Sequence, residues 1–319
     1  MKKIIVGEND KDQRADRFLS KLLPNANKNF IMKMMRKKNI VNNNKKMIAS
    51  DILKKGDEIT IYFSDETFEK FSKKDNTYAH INLDIVYEDE NILVVDKANG
   101  LLSHSASNNR EKNLIDGVIA YLIESGQYNP RNENSFVPAL CNRLDRNTAG
   151  LVIVGKNALA LKTINEKIRQ RDFKKIYNAI VLGKFTYDGL LEDRMVKDDK
   201  KNRANIVKSK DGILMQSEVK SIIIGERYSF VEIDLITGRT HQIRAQLANL
   251  DHPILGDPKY GSYSANRKLE SLDMKNHQLL ASVEMILPKM DGELEYLSNK
   301  KFTSKYKSKL MEVYKKINE

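Results

Sequence analysis

Apolar positions change period several times along this chain, and each change marks a boundary. Phe18, Leu19, Leu22 and Leu23 recur at helical spacing before Pro24, as do Phe30, Ile31, Met34 and Met35. Two short amphipathic helices are predicted, the second over 28–38 with Lys28, Lys33, Arg36 and Lys37 outward. Short strands at 4–6, 40–41 and 59–63 surround an asparagine-rich turn at 42–44, so the front of the chain reads as a helix pair with a small sheet. Residues 66–82 are charged and poor in large apolar side chains, which reads as a linker.

Beyond it, 85–87 and 92–95 are strand-like around the polar turn 88–91, a hairpin pattern. Helical spacing returns at 114–122, residues 130–138 read as a loop, and the apolar run 151–154 follows. A helix at 158–171 turns Leu161, Ile164 and Ile168 inward, and 174–183 alternates as a strand. The charged stretch 192–210 reads as a mobile loop. Strands at 219–224 and 228–236, a short helix at 245–250, a turn-rich loop at 251–261 and a basic helical tail over 302–317 complete the chain.

Composition narrows the functional classes. The 319 residues carry a formal net charge of +12, a length that suggests two domains. Thirteen Lys and Arg against four acids put +9 of that charge into residues 1–48, so the front module expects a polyanionic partner. It lacks the bulky aromatic face of a membrane-surface helix, which favours nucleic acid; a bias toward solvated lysines is the plainer alternative. No apolar run approaches a membrane span or a signal segment, which predicts a cytoplasmic protein. One cysteine, Cys141, excludes an internal disulfide, and five scattered histidines give a catalytic metal little support. Cys141 itself reads as a small buried residue, with a nucleophilic thiol the rarer role.

The stretch with chemistry is 141–150, where Asp145 lies between Arg143 and Arg146 beside Asn147-Thr148-Ala149-Gly150. Flanking guanidiniums keep a carboxylate ionised, and an ionised carboxylate is a competent nucleophile or base at neutral pH; turn and cap roles are the common fate of a loop aspartate. A phosphate loop over 150–156 is excluded, because Asn157 follows Gly155-Lys156 where Ser or Thr is needed. Thr237 to Arg244 gathers two guanidiniums, an imidazole and an amide, and Arg244 is placed to meet Asp145 as a bidentate partner.

Two resemblances organise these readings. Arg14-Ala15-Asp16-Arg17-Phe18-Leu19, Met35-Arg36-Lys37-Lys38, Ile40-Val41-Asn42 and Lys55-Gly56-Asp57-Glu58-Ile59 resemble the S4 RNA-binding domain. Asn142 to Gly150, Lys175-x-Tyr177-x-Ala179-x-Val181-x-Gly183, Thr237 to Arg244 and His252-Pro253-Ile254-Leu255-Gly256-Asp257 resemble RNA pseudouridine synthases of the RluA type. That resemblance implies that Asp145 is the catalytic aspartate, Tyr177 stacks on the target base and Arg244 pairs with Asp145. It further implies that Arg143 enters the RNA helix where the nucleotide has flipped out. Arg14, Arg17, Lys33, Arg36, Lys37 and Lys38 in the front module, with Arg239 and His241, are the expected RNA-binding residues. The implied reaction cuts the uracil N1–C1′ bond, turns the base and joins C5 to C1′, with no cofactor and no metal. Asn142 stands where many members have His, Ala149 where many have Ser, and Ala98-Asn99 where proline is common.

The expected fold class is α+β: a catalytic domain on a mostly antiparallel sheet over 83–319, a linker over 64–82 and an S4-like α/β domain over 1–63. The expected substrate is a uridine in large-subunit (23S) ribosomal RNA. The alternatives are a transfer-RNA pseudouridine synthase and a non-catalytic RNA-binding protein of ribosome assembly. No membrane and no obligatory protein partner is expected.

Overall fold

A computed structural model describes residues 1–72, 78–105, 111–198, 203–270 and 278–318. In chain order the strands are β1 (Lys2–Ile5), β2 (Ile40–Asn42), β3 (Lys45–Lys46), β4 (Glu58–Ile61), β5 (Ile85–Glu88), β6 (Ile92–Lys97), β7 (Ala139–Leu140), β8 (Ala149–Gly155), β9 (Lys174–Leu182), β10 (Gly189–Asp198), β11 (Arg203–Val207), β12 (Ile213–Ile223), β13 (Tyr228–Leu235), β14 (Leu280–Ile286) and β15 (Lys301–Thr303). The α-helices are α1 (Ala15–Leu22), α2 (Lys28–Arg36), α3 (Asp65–Ser72), α4 (Leu114–Glu124), α5 (Ala158–Gln170), α6 (Gln242–Asn249), α7 (Tyr263–Glu270) and α8 (Tyr306–Asn318). They form two compact units, one of residues 1–80, 116–139 and 155–162, the other of 81–115, 140–154 and 163–319.

In the first unit α1 and α2 pack with an antiparallel sheet ordered β1-β4-β2-β3. Phe18, Leu19, Ile31, Met35, Ile40, Ile59 and Ile61 form its core, the positions that helical and strand periods select. Asn27 caps α2 by accepting the Phe30 amide at 2.7 Å, the usual service of an Asn before a first turn. Asn43 and Asn44 both have positive φ, the turn chemistry that a tight β2–β3 hairpin requires. Two findings differ from the sequence expectation. Residues 65–72, read as linker, form α3, whose Phe68 and Phe71 pack on the core; Ser64 supports it by accepting the Thr67 amide at 3.2 Å. Residues 134 and 135, read as plain loop, are bound to the N-terminal segment: buried Asp10 accepts from the Ser135 hydroxyl at 2.5 Å and from Asn134 Nδ2 at 2.8 Å.

The second unit is built on one 11-stranded sheet, ordered β11-β10-β12-β13-β9-β14-β8-β6-β5, with β15 on β14 and β7 on β8. The registered pairs are antiparallel except β14 with β8, so the fold is α+β with antiparallel pairing dominant. The β5–β6 hairpin is closed by Asp89, which accepts the amides of Asn91 and Ile92 at 2.7 Å. Leu310 and Tyr314 of α8 pack with Ile180, Phe230 and Val283.

The charged stretch expected as a mobile loop is instead the antiparallel hairpin β10–β11, from Arg194 opposite Val207 to Asp198 opposite Arg203; residues 199–202 lie outside the described residues. Met195 and Ala204 pack with Met215, Ala245 and Tyr260. A few buried apolar residues suffice to seat the hairpin, and the charges around them hide its period. The tail likewise begins with a strand, β15, before α8.

Candidate active site

Asp145 sits in the turn that leads into β8, where the Thr148 amide donates to the Asp145 carbonyl at 3.1 Å. Neighbouring groups hold this turn on both sides. The Ser103 hydroxyl donates to the Leu144 carbonyl at 2.7 Å and accepts the Leu144 amide at 3.1 Å. On the other side, the buried Lys97 ammonium donates to the carbonyls of Arg146 at 3.0 Å, Leu101 at 2.7 Å and Ala98 at 3.0 Å. Burial pushes Lys97 down to about 7; Asp145 raises it and Arg146 lowers it. Asn142 steadies the start of the turn, donating to the Leu151 carbonyl and accepting the Ile153 amide.

Gly150 then makes a close approach that only glycine permits. Its φ is +109°, and a Cβ there would lie 2.1 Å from the Ser282 carbonyl oxygen. Ser282 is paired with Gly150 on one side and with Tyr177 of β9 on the other, so the strand entered from the Asp145 turn and Tyr177 share one short ladder. Tyr177 is buried, and that burial pushes its phenol up to about 12. Its position lines the same pocket as Asp145, Arg143, Arg239, His241 and Arg244.

Arg244 comes from the first turn of α6. Its Nη1 donates to Asp145 Oδ2 at 2.7 Å, while Nε and Nη2 donate to Asp257 at 2.7 and 3.0 Å. The expected pairing with Asp145 is present, but the two-nitrogen contact belongs to Asp257. Burial by itself would raise the Asp257 carboxyl; the Arg244 bonds and charge, with the amides of Tyr260 and Lys259, outweigh it and hold it below the usual range. Burial likewise opposes the charge on Arg244, and the two carboxylates raise its pKa despite that. Tyr260 lies against this guanidinium, 5.1 Å from its ring centroid, with Arg203 at 4.6 Å.

His241, expected as an RNA contact, has a left-handed backbone and a side chain only 8% exposed. Its Nδ1 is 3.2 Å from the Tyr260 hydroxyl and its Nε2 is 3.8 Å from Asp145 Oδ2. Burial lowers its pKa, partly offset by Asp145. Arg143 and Arg239 are exposed. Arg146 turns away from Asp145 and pairs with Glu111, with Nη2 to Oε2 at 2.8 Å. In the first unit Arg17, Lys33, Arg36, Lys37 and Lys38 are exposed, whereas Arg14 is paired with Asp16 at 3.0 Å. Sequence reasoning missed Ser103, Asp257 and Tyr260; the Gly256-Asp257 motif is the one signal that points to any of them.

Among the described residues no group of three or more His, Cys, Asp or Glu side chains is placed to hold a metal, and no helix is long and apolar enough to cross a membrane. The arrangement offers a half-buried carboxylate, a buried cation beside it, an aromatic wall and exposed arginines at the mouth. That set suits covalent or proton-transfer work on a planar group attached to a polyanion.

Comparison with known proteins points the same way. Residues 91–249 match the sequence profile of the RNA pseudouridylate synthase family. An uncharacterized RNA pseudouridine synthase of Mycoplasma capricolum is 32% identical over 310 residues, 94% of this chain and 96% of that protein. The ribosomal large subunit pseudouridine synthase D of Borreliella burgdorferi is 32% identical over 227 residues, 70% of this chain and 68% of that protein. Among solved structures, human RNA pseudouridylate synthase domain containing 4 superposes with a TM-score of 0.55 over 70% of this chain and 88% of its own. At 22% identity, that likeness speaks for the fold alone.

Proposed function

Because the chain belongs to the RNA pseudouridine synthase family and isomerises uridine in RNA, we propose that its substrate is large-subunit ribosomal RNA and that Asp145 is the reacting group. The observation that carries the second part is the meeting of Asp145, Arg244 and Tyr177 in one pocket, from three segments distant in sequence. The reaction is an isomerisation: N1–C1′ breaks, C5–C1′ forms, and the hydrogen on C5 is lost as the hydrogen on N1 is gained. A charged carboxylate next to the sugar serves either attack on C1′ or removal of a sugar proton.

A uridine within paired RNA has to leave the stack first, at a cost of about a few kcal/mol. Tyr177 offers a ring against which the freed uracil stacks, and exposed Arg143 at the pocket mouth is available to fill the gap it leaves. Residues 1–63 act as an S4-like RNA-binding module, with Lys33, Arg36, Lys37 and Lys38 exposed for phosphates. Support for ribosomal RNA comes from the Borreliella relative, a large-subunit enzyme by name.

The test is pseudouridine mapping of ribosomal and transfer RNA from cells lacking the protein, complemented with wild type or Asp145→Asn. A missing large-subunit site restored by wild type alone is the expected outcome. Full restoration by Asp145→Asn would refute the assignment of the reacting group, and a missing transfer-RNA site would refute the substrate.

A further inference from the structure

We infer that Asp257 is a positioning residue that gives the two oxygens of Asp145 separate duties. By holding Arg244 with two nitrogens, it restricts that guanidinium to a single bond with Asp145, so Oδ2 is the anchored oxygen and Oδ1 the one presented to RNA. The inference rests on the reading of Asp145 as the reacting group.

The geometry is specific. A guanidinium is a rigid planar fork with five N–H donors, and the orientation of its plane decides which carboxylate gets a two-bond contact. Asp257 takes the edge formed by Nε and Nη2, at 2.7 and 3.0 Å, which leaves Nη1 pointing at Asp145 Oδ2 at 2.7 Å. Asp257 cannot shift to share the fork differently. Its side chain is wholly buried, and Oδ1 also accepts the amides of Lys259 and Tyr260 at 2.8 and 2.9 Å. The Tyr260 ring then closes over the guanidinium.

Asp145 is held quite differently. Its side chain is 30% exposed and, among the described residues, only Oδ2 receives a hydrogen bond. Oδ1 is therefore the oxygen with an open approach from the pocket that Tyr177 and Arg143 line. A carboxylate gripped at both oxygens would be a poorer nucleophile or base, since each bond to the charged form must be weakened as it reacts. An arginine confined to one bond orients the acid and neutralises it without capping it.

Asp257→Asn tests this. The amide keeps the shape but turns a donor toward the guanidinium, which is then free to close on Asp145 with two nitrogens. With ribosomal RNA extracted from cells lacking the protein as substrate, the single-turnover rate is expected to fall about 30- to 100-fold, the scale of losing a pre-set geometry. RNA affinity should stay within about twofold, and a crystal structure of the variant should show both terminal nitrogens of Arg244 on Asp145. A folded Asp257→Asn protein with a wild-type rate would overturn the inference, as would a rate loss matched by an equal loss of RNA affinity.

If that variant does not fold, Arg244→Lys serves instead. A lysine cannot hold two carboxylates in fixed geometry, so its rate should drop at least about tenfold at unchanged affinity, and a wild-type rate would sink the idea. Asp145→Asn in the same assay separates the two readings. If it is inactive while Asp257→Asn is fully active, the inference alone fails; if it is active, the assignment of the reacting group fails with it.

Discussion

One hydroxyl holds both backbone groups of Leu144, the residue before Asp145. Ser103 Oγ donates to the Leu144 carbonyl at 2.7 Å and accepts its amide at 3.1 Å, and the serine is only 5% exposed. Asp145 therefore starts from a fixed peptide plane. Ser103→Ala leaves two buried backbone groups without this partner, at a cost of about 1–3 kcal/mol. Turnover is expected to fall about tenfold while RNA affinity holds, read by single-turnover rates beside a binding titration.

Tyr177 is assigned to stacking, a task for the ring and not for the hydroxyl. Tyr177→Phe should stay within a few-fold of the wild-type rate. Tyr177→Ala removes the stacking face, worth about 1–3 kcal/mol per base, and opens a cavity in the sheet, so both rate and melting temperature should fall. A Phe variant as inactive as the Ala variant would show that the phenol itself matters.

Lys97 predicts a pH dependence of stability. Its folded-state value is pushed down from 10.5 to about 7, chiefly by burial. Between those limits the unfolded chain holds a proton that the folded chain has released, so this group's contribution to stability rises with pH. It is lost as pH falls through the folded value near 7. Lys97→Met should flatten the dependence of urea midpoint on pH between about 7 and 10, compared with wild type. An unchanged slope would contradict the shift.

Gly150→Ala is expected to be among the most damaging small substitutions. The new methyl would meet the Ser282 carbonyl oxygen at 2.1 Å from a positive-φ backbone, so β8 and β14 would have to part. A loss of more than about 2 kcal/mol is expected from strain of this kind, measured by chemical denaturation, with activity lost alongside because Tyr177 adjoins the same serine.

The basic front predicts a salt effect. Replacing Lys33, Arg36 and Lys37 together with Ala should weaken RNA binding and lower the slope of log affinity against log salt by about two to three, roughly 0.7–0.9 for each phosphate no longer neutralised. The rate at saturating RNA should be unaffected. A slope equal to wild type would remove this helix from the RNA-binding surface.

Legibility in the sequence follows the length scale of the interaction. The helices α1 and α2 are readable because their apolar residues recur at helical spacing, whereas β6 and β9 stand out as short apolar runs that are buried on both faces instead of alternating. Helix α3 and the β10–β11 hairpin are not readable, because charged residues outnumber the few that pack and local composition outweighs the pattern. Arg146 misleads for a related reason: adjacency to Asp145 suggests a pair, whereas its guanidinium reaches Glu111.

The sequence by itself determined which side chains are candidates for the chemistry, since Asp145, Tyr177 and Arg244 stand in motifs whose residue types and spacing are local properties. Only the tertiary structure decided how they are used. Asp145 and Arg244 lie 99 residues apart, Ser103 and Leu144 are 41 apart, and Lys97 and Arg146 are 49 apart. Each contact exists because strands and loops distant in the chain close around one turn. Whether Arg244 grips Asp145 with one nitrogen or two depends on Asp257, whose buried carboxylate has to be satisfied first. That competition for a single guanidinium is a property of three residues in space, and no window of sequence contains it.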